Sequence, residues 1–201
     1  GAVGARGLIP FLDIAYQGFG DGLDADAHAV RRFAQACPAV FVAGSFSKSL
    51  SLYGERVGAL HVVTESSDEA ARVLSQLKRV IRTNYSNPPT HGGQVSTMVL
   101  TDPQLRALWE RELGEMRERI KLMRRQLVEK VRALRADFDL SYITDQRGMF
   151  SYSGLTADQV RRLREGYSIY AIDSGRICVA ALSTRKVPVT FSSAGSSDPD
   201  G

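Results

Sequence analysis

Cysteine is nearly absent: Cys37 and Cys178 are the only two in 201 residues. A pair so far apart in the chain sets no disulfide framework, so a reducing, cytoplasmic setting is the expectation. Long apolar runs are missing as well. None approaches the roughly 18 residues that cross a bilayer, and the start, Gly1-Ala2-Val3-Gly4-Ala5-Arg6-Gly7, lacks the apolar stretch of a signal peptide. No membrane partner is expected. Histidine is scarce too: His28, His61 and His91 share no ligand spacing with each other or with a cysteine, which argues against a metal site. Charge of one sign is not in excess either, the net value being +4. Residues 106–135 carry ten Arg/Lys against five Glu, but the signs interleave, as in Glu115 and Arg119 four apart. That pattern reads as a solvated helix face rather than a nucleic-acid surface.

Lysine is sparse at five, and one of them has an unusual setting. Lys48 lies in Ser45-Phe46-Ser47-Lys48-Ser49-Leu50-Ser51-Leu52-Tyr53-Gly54-Glu55-Arg56, directly after the apolar run Ala39–Ala43. Lysines in serine-rich loops are usually solvated surface groups. At the end of a buried strand, flanked by hydroxyls and an arginine, a lysine also suits imine chemistry beside a phosphate site. Ser45-x-x-Lys48 matches the Ser-x-x-Lys of penicillin-binding acyl transferases, but the Ser-Asp-Asn and Lys-Thr-Gly that accompany it occur nowhere in the chain.

The order of elements predicts an α/β fold. Leu8–Asp13 reads as a short strand limited by Pro10, Asp24–Ala36 as a helix stopped by Cys37-Pro38, and Ala39–Ala43 as a second strand. Strand, helix, strand predicts a parallel pair, and ligands of such sheets gather at the carboxyl ends, where Asp13 and the Lys48 loop both fall. Val57–Val63 reads as a third strand, Ser66–Arg82 as a helix capped by Ser66 or Ser67, and Gly92–Leu100 as another helix. Thr101-Asp102-Pro103 starts a long helix whose apolar stripe runs from Leu105 through Trp109, Leu113, Met116, Ile120, Met123, Leu127 and Val131 to Leu134. A small α+β part should follow, with a strand at Phe150–Tyr152, a helix at Thr156–Glu165, and strands near Ser168–Ala171 and Arg176–Ala180. The domain expectation is therefore 1–100, then 101–187 as bridging helix and small domain. The Ser/Gly-rich stretch 188–201 is expected to be disordered.

Leu12-Asp13-Ile14-Ala15-Tyr16-Gln17-Gly18-Phe19, Ser45–Arg56, Arg82-x-Asn84-Tyr85-Ser86-Asn87-Pro88-Pro89, Gly148-Met149-Phe150-Ser151 and Ser174-Gly175-Arg176 resemble, in unbroken order, the fold-type I aspartate/aromatic aminotransferases. The forms around Lys48 and at Gln146–Tyr152 look more like the aromatic branch. The resemblance implies part of the large-domain sheet of a pyridoxal phosphate transferase, then the bridging helix and small domain. It implies transamination between an aromatic or dicarboxylic L-amino acid and a 2-oxo acid, in a homodimer. By it, Lys48 is the imine lysine and proton carrier. Asp13 pairs with the pyridine nitrogen and Tyr16 bonds the cofactor's phenolic oxygen. Ser45, Ser47 and Arg56 hold the phosphate, and Ser86 lies near the partner subunit's phosphate. Arg176 clamps the substrate α-carboxylate, Arg82 reaches a dicarboxylate side chain in the partner's site, and Phe150 lines the pocket. The family runs to about twice this length. The expectation is thus a C-terminal portion lacking the residues that stack on the cofactor, inactive when alone. A non-catalytic fragment and another fold-type I activity, such as a decarboxylase, stand as alternatives.

Overall fold

The computed structural model describes residues 2–183; the stretch 188–201, expected to be disordered, lies outside the described residues. The chain separates into two compact units, 1–114 and 115–201.

In the first unit a short helix, α1 (Ala2–Ala5), precedes strand β1 (Phe11–Ile14), helices α2 (Leu23–Asp26) and α3 (His28–Ala36), and strand β2 (Val40–Ser45). Strand β3 (Gly58–Val63) and helices α4 (Ser67–Asn84) and α5 (Thr90–Thr101) follow. β1 and β2 run parallel, with Asp13 opposite Ala43. β3 returns antiparallel on the other side of β2, giving the order β1-β2-β3. The sheet follows from the apolar runs: Val40 and Val42 alternate into the interior, at 0% and 6% exposure. β1 starts at Phe11 rather than Leu8 because proline cannot donate to the ladder; the carbonyl of Pro10 instead accepts the Phe41 N–H. The single helix expected over Asp24–Ala36 is two helices meeting at Ala27, whose N–H bonds the Asp24 carbonyl in a tight turn. Cys37, held extended before Pro38, ends α3. Ser66 caps α4 by accepting the Glu69 N–H at 3.2 Å.

Helix α6 spans Pro103–Leu134, 32 residues, started by Asp102, whose carboxylate accepts the N–H groups of Gln104 and Leu105. The division between the units falls within it, after Gly114. The long apolar stripe is only partly buried. Leu113, Ile120, Met123, Leu127 and Val131 are interior, whereas Leu105, Leu108, Met116 and Leu134 are exposed.

In the second unit, Leu127 and Val131 pack with Leu140 and Ile143, the latter on a 3-10 turn at Ser141–Ile143, and with Val128, Ile177 and Leu182 at the margin. Strand β4 (Phe150–Tyr152) pairs antiparallel with β5 (Arg176–Cys178), setting Tyr152 opposite Arg176. Between them lies helix α7 (Ala157–Tyr167), opened by a capping box in which the Thr156 hydroxyl takes the Gln159 N–H and the Gln159 side chain takes the Thr156 N–H.

Two expectations fail here. Ser168–Ala171 is not a strand: Ser168 ends α7 in the left-handed region (φ 54°), and the Ala171 carbonyl goes to the Arg164 guanidinium. Nor does Arg119 pair with Glu115. It donates to the carbonyls of Ala180 and Leu182, around a 3-10 turn at Val179–Ala181. No helix among the described residues is long and apolar enough to cross a membrane.

Candidate functional site

The first group of site residues is built on β1, β2 and the turns that leave them. Because these strands are parallel and in register, Asp13 and Ser45 open at the same carboxyl edge of the sheet. Past β2 the chain turns through Phe46–Leu50, where the Leu50 N–H returns to the Phe46 carbonyl. Lys48 rides on that turn. Its Nζ lies 4.9 Å from the centre of the Tyr16 ring and 5.7 Å from that of Tyr53. Two phenol rings thus flank one ammonium, a cation–π setting that fixes where the amine points.

The loop around Lys48 is held from several sides. The Ser45 hydroxyl accepts the Ser47 N–H at 3.2 Å, and Ser47 and Ser49 are buried. The indole of Trp109 donates to the Ser49 carbonyl at 2.7 Å. On the β1 side, the carboxylate of Asp26 accepts the N–H groups of Gly18, Gly20 and Asp21, tying down the turn that follows Tyr16. Gly18 takes φ 94°, a conformation that side-chain-bearing residues rarely adopt, and an added Cβ would also displace the end of the Leu113 side chain, 2.5 Å away.

Sequence reasoning missed these positioning roles of Trp109 and Asp26, and also Tyr53. Trp109 read as plain core on the stripe; its distinguishing signal was an indole N–H that must find an acceptor when buried. For Asp26 the signal was an acidic residue closing a glycine-rich turn.

Other expected residues stand less simply. Arg56 adopts the left-handed region (φ 51°) and its guanidinium donates to the Tyr53 carbonyl at 2.9 Å, leaving its other donors available. Arg82 and Ser86, expected to serve a partner's site, are joined within the chain by a bond from the Arg82 guanidinium to the Ser86 hydroxyl. Ser86 itself is left-handed (φ 70°), just past the end of α4.

The second unit brings Phe150 and Arg176 together. They sit diagonally across the β4–β5 pair, and the guanidinium carbon lies 4.9 Å above the ring centre. Arg176 is exposed on an edge whose far side is fixed by the buried Arg124. Sequence reasoning read Arg124 as part of a charged helix face. It lies at helical spacing between Ile120, Leu127 and Val131, and that was the available signal.

The donor set of the first unit suits pyridoxal phosphate. It offers an amine for an imine, a carboxylate at the same sheet edge for a protonated ring nitrogen, a phenol for a phenolic oxygen, and hydroxyls with a guanidinium for phosphate oxygens. Ser45 keeps its own O–H to donate, since its bond to Ser47 uses only a lone pair.

Comparison with known proteins agrees with this chemistry. The family described as Aminotransferase class I and II matches residues 2–191. Aspartate aminotransferase of Pseudomonas aeruginosa is 67% identical over 179 residues, 89% of this chain and 45% of that protein. Aromatic-amino-acid aminotransferase of Escherichia coli is 54% identical over 183 residues, 91% of this chain and 46% of that protein. The crystal structure of aromatic-amino-acid aminotransferase from Burkholderia pseudomallei, covalently bound to pyridoxal phosphate, superposes with a TM-score of 0.90 at 67% identity. It covers 92% of this chain and 46% of its own. The chain therefore spans a little under half the length of these relatives, and it belongs to the class I and II aminotransferases.

Proposed function

We propose that this chain carries the lysine and the carboxylate clamp of a pyridoxal phosphate-dependent transaminase, which passes an amino group between an aromatic or dicarboxylic L-amino acid and a 2-oxo acid. The observation that carries the proposal is the placement of Lys48 Nζ against Tyr16 and Tyr53 at the sheet edge where Asp13 and Ser45 also open. Names and bound cofactor of the relatives agree with it.

Pyridoxal phosphate, when bound, supplies a sink for the electron pair left at the substrate Cα. The protein's residues divide the remaining work. Lys48 Nζ would be the nucleophile, and as a free amine it would carry the proton between the substrate Cα and the cofactor's C4′ carbon. The Asp13 carboxylate holds a proton at the ring nitrogen, since an anion there favours the charged form. Tyr16 donates to the cofactor's phenolic oxygen. Ser45, Ser47 and Arg56 bind the phosphate, Arg56 by its fork of parallel donors. Arg176 grips the substrate carboxylate in the same manner, with Phe150 as the apolar wall beside it. In a homodimer, Arg82 and Ser86 would exchange their mutual bond for the partner's substrate and phosphate. A cytoplasmic location completes the reading, in line with the two free thiols, Cys37 and Cys178.

The test is absorbance after adding pyridoxal phosphate to the chain. A weak visible band that borohydride discharges, present in the wild type and absent in Lys48→Ala, is the expected result. An equal band in both proteins would refute the assignment.

A further inference from the structure

The second unit contains a buried cation that the proposed chemistry leaves unused. Arg124 is 3% exposed, and no carboxylate faces it among the described residues. Burial pulls its pKa below the ordinary guanidinium value. A buried guanidinium needs its donors satisfied, or the lost hydration is costly. Here Nε donates to the Ser151 hydroxyl at 3.0 Å, and Nη2 donates to the carbonyls of Gly148 and Phe150.

Those acceptors bracket one residue, Met149. Its own carbonyl faces the opposite side, accepting the N–H groups of Val179 at 2.9 Å and Ala180 at 3.4 Å. The stretch Gly148–Ser151 is thus pinned from α6 on one side and from the end of β5 on the other. Gly148 takes the left-handed region (φ 81°), which lets its carbonyl turn toward the guanidinium. The pinned stretch includes Phe150, whose ring carries Arg176 at 4.9 Å.

We propose that Arg124 is a positioning residue for the Phe150–Arg176 pair: by holding the carbonyls on both sides of Met149 it fixes the ring on which the Arg176 guanidinium rests, and so sets the direction in which that fork meets a carboxylate. The direction toward a carboxylate rests on Arg176 being the clamp proposed above; the hold on the ring does not. The planar guanidinium serves these three acceptors from two separate nitrogens held in a rigid fork, whereas a lysine would have to reach them from a single nitrogen. An apolar residue would fill the space and leave two carbonyls and a hydroxyl without this donor.

Nuclear magnetic resonance on the full chain tests this. Protons of the Arg176 side chain above the Phe150 ring should show an upfield ring-current shift, and Phe150→Leu defines its absence. Arg124→Gln should lose most of that shift while the methyl signals of Ile143 and Val160 stay native; Arg124→Lys should keep part of it. Titration with 3-phenylpropionate should move the Arg176 Nε–H signal, with about tenfold weaker binding in Arg124→Gln. An Arg124→Gln protein with native methyl signals and a wild-type Arg176 shift overturns the proposal. Where Arg124→Gln does not fold, Ser151→Ala decides, since it removes one acceptor only. A smaller change at Arg176 in the same direction supports the proposal, and an unchanged signal overturns it. Failure of 3-phenylpropionate to move Arg176 in the wild type would remove the clamp reading alone, because the ring-current comparison needs no ligand.

Discussion

The indole N–H of Trp109 donates to the carbonyl of Ser49, 2.7 Å away and 60 residues earlier in the chain. It joins α6 to the turn that carries Lys48, at the residue next to the lysine. Other backbone bonds of the turn run from Leu50 and Leu52 to Phe46, from Ser51 to Lys48, and from the Phe46 N–H to the Val57 carbonyl.

Trp109→Phe keeps most of the ring's apolar contact and removes the donor. The expected loss is about 1 kcal/mol, the usual net worth of one hydrogen bond, with the Ser49 carbonyl left unpaired. Faster amide hydrogen exchange at Leu50 and Leu52, with unchanged exchange in α7, would show that the loss is local. Unchanged exchange at both residues would mean that the bond does not restrain the turn.

The interior of the second unit centres on Ile143, at 0% exposure against Leu127, Val131 and Leu140. Ile143→Ala should lower stability by about 2–5 kcal/mol, since it removes buried methyl groups and leaves a cavity. Denaturant unfolding measures it. A loss under ~1 kcal/mol would show that the neighbours collapse into the space.

Protection should differ between the units. Among the described residues, fully interior apolar side chains before α6 are Phe19, Val40 and Val42, while Phe11 and Leu60 on the same sheet are 64% and 48% exposed. After Gly114 the interior includes Ile120, Met123, Leu127, Val131, Leu140, Ile143, Val160, Leu163 and Val179. Limited proteolysis should therefore cut first within residues 2–100 and last within 115–183. The reverse order would contradict this burial pattern.

Asp137 provides a pH test. Its carboxylate is held down to about 2 by the hydrogen bond from Arg135, by the backbone, and by the charge of Arg135. The folded value is depressed, so the interaction is complete above the ordinary carboxylate range of about 4 and is lost as pH falls through about 2. The pair is exposed, so the effect on stability is small. Carbon-detected titration of Asp137 should give a midpoint near 2 in the wild type and a higher one in Arg135→Ala. The same midpoint in both would show that Arg135 is not the cause.

Much of this was legible in the chain. The apolar runs at Leu12 and at Val40–Val42, with a helix between, specified the parallel pair, and the parallel pair brought Asp13 and Ser45 to one edge. The Thr156 cap was readable, and for α4 a serine cap at Ser66 or Ser67, of which the structure uses Ser66. What was not legible depends on partners that no helix or strand period brings together. The break at Ala27 follows from Asp26 turning to Gly18 and Gly20. Arg119 leaves its helical neighbour Glu115 for the carbonyls of Ala180 and Leu182, more than sixty residues on. Ile169–Ala171 is apolar enough for a strand, yet the left-handed Ser168 and the Arg164 guanidinium take the backbone elsewhere. Arg124 looked like its charged neighbours because charge pattern alone does not reveal burial.

By the proposed function, Lys48 is the lysine of this chain that bonds to pyridoxal phosphate. Borohydride trapping of the chain with pyridoxal phosphate, followed by peptide mapping, tests it most directly. The reduced label should fall on Lys48 and be lost in Lys48→Ala without transfer to another position. A label on Lys78, Lys121 or Lys130, with Lys48 unmodified, would contradict it.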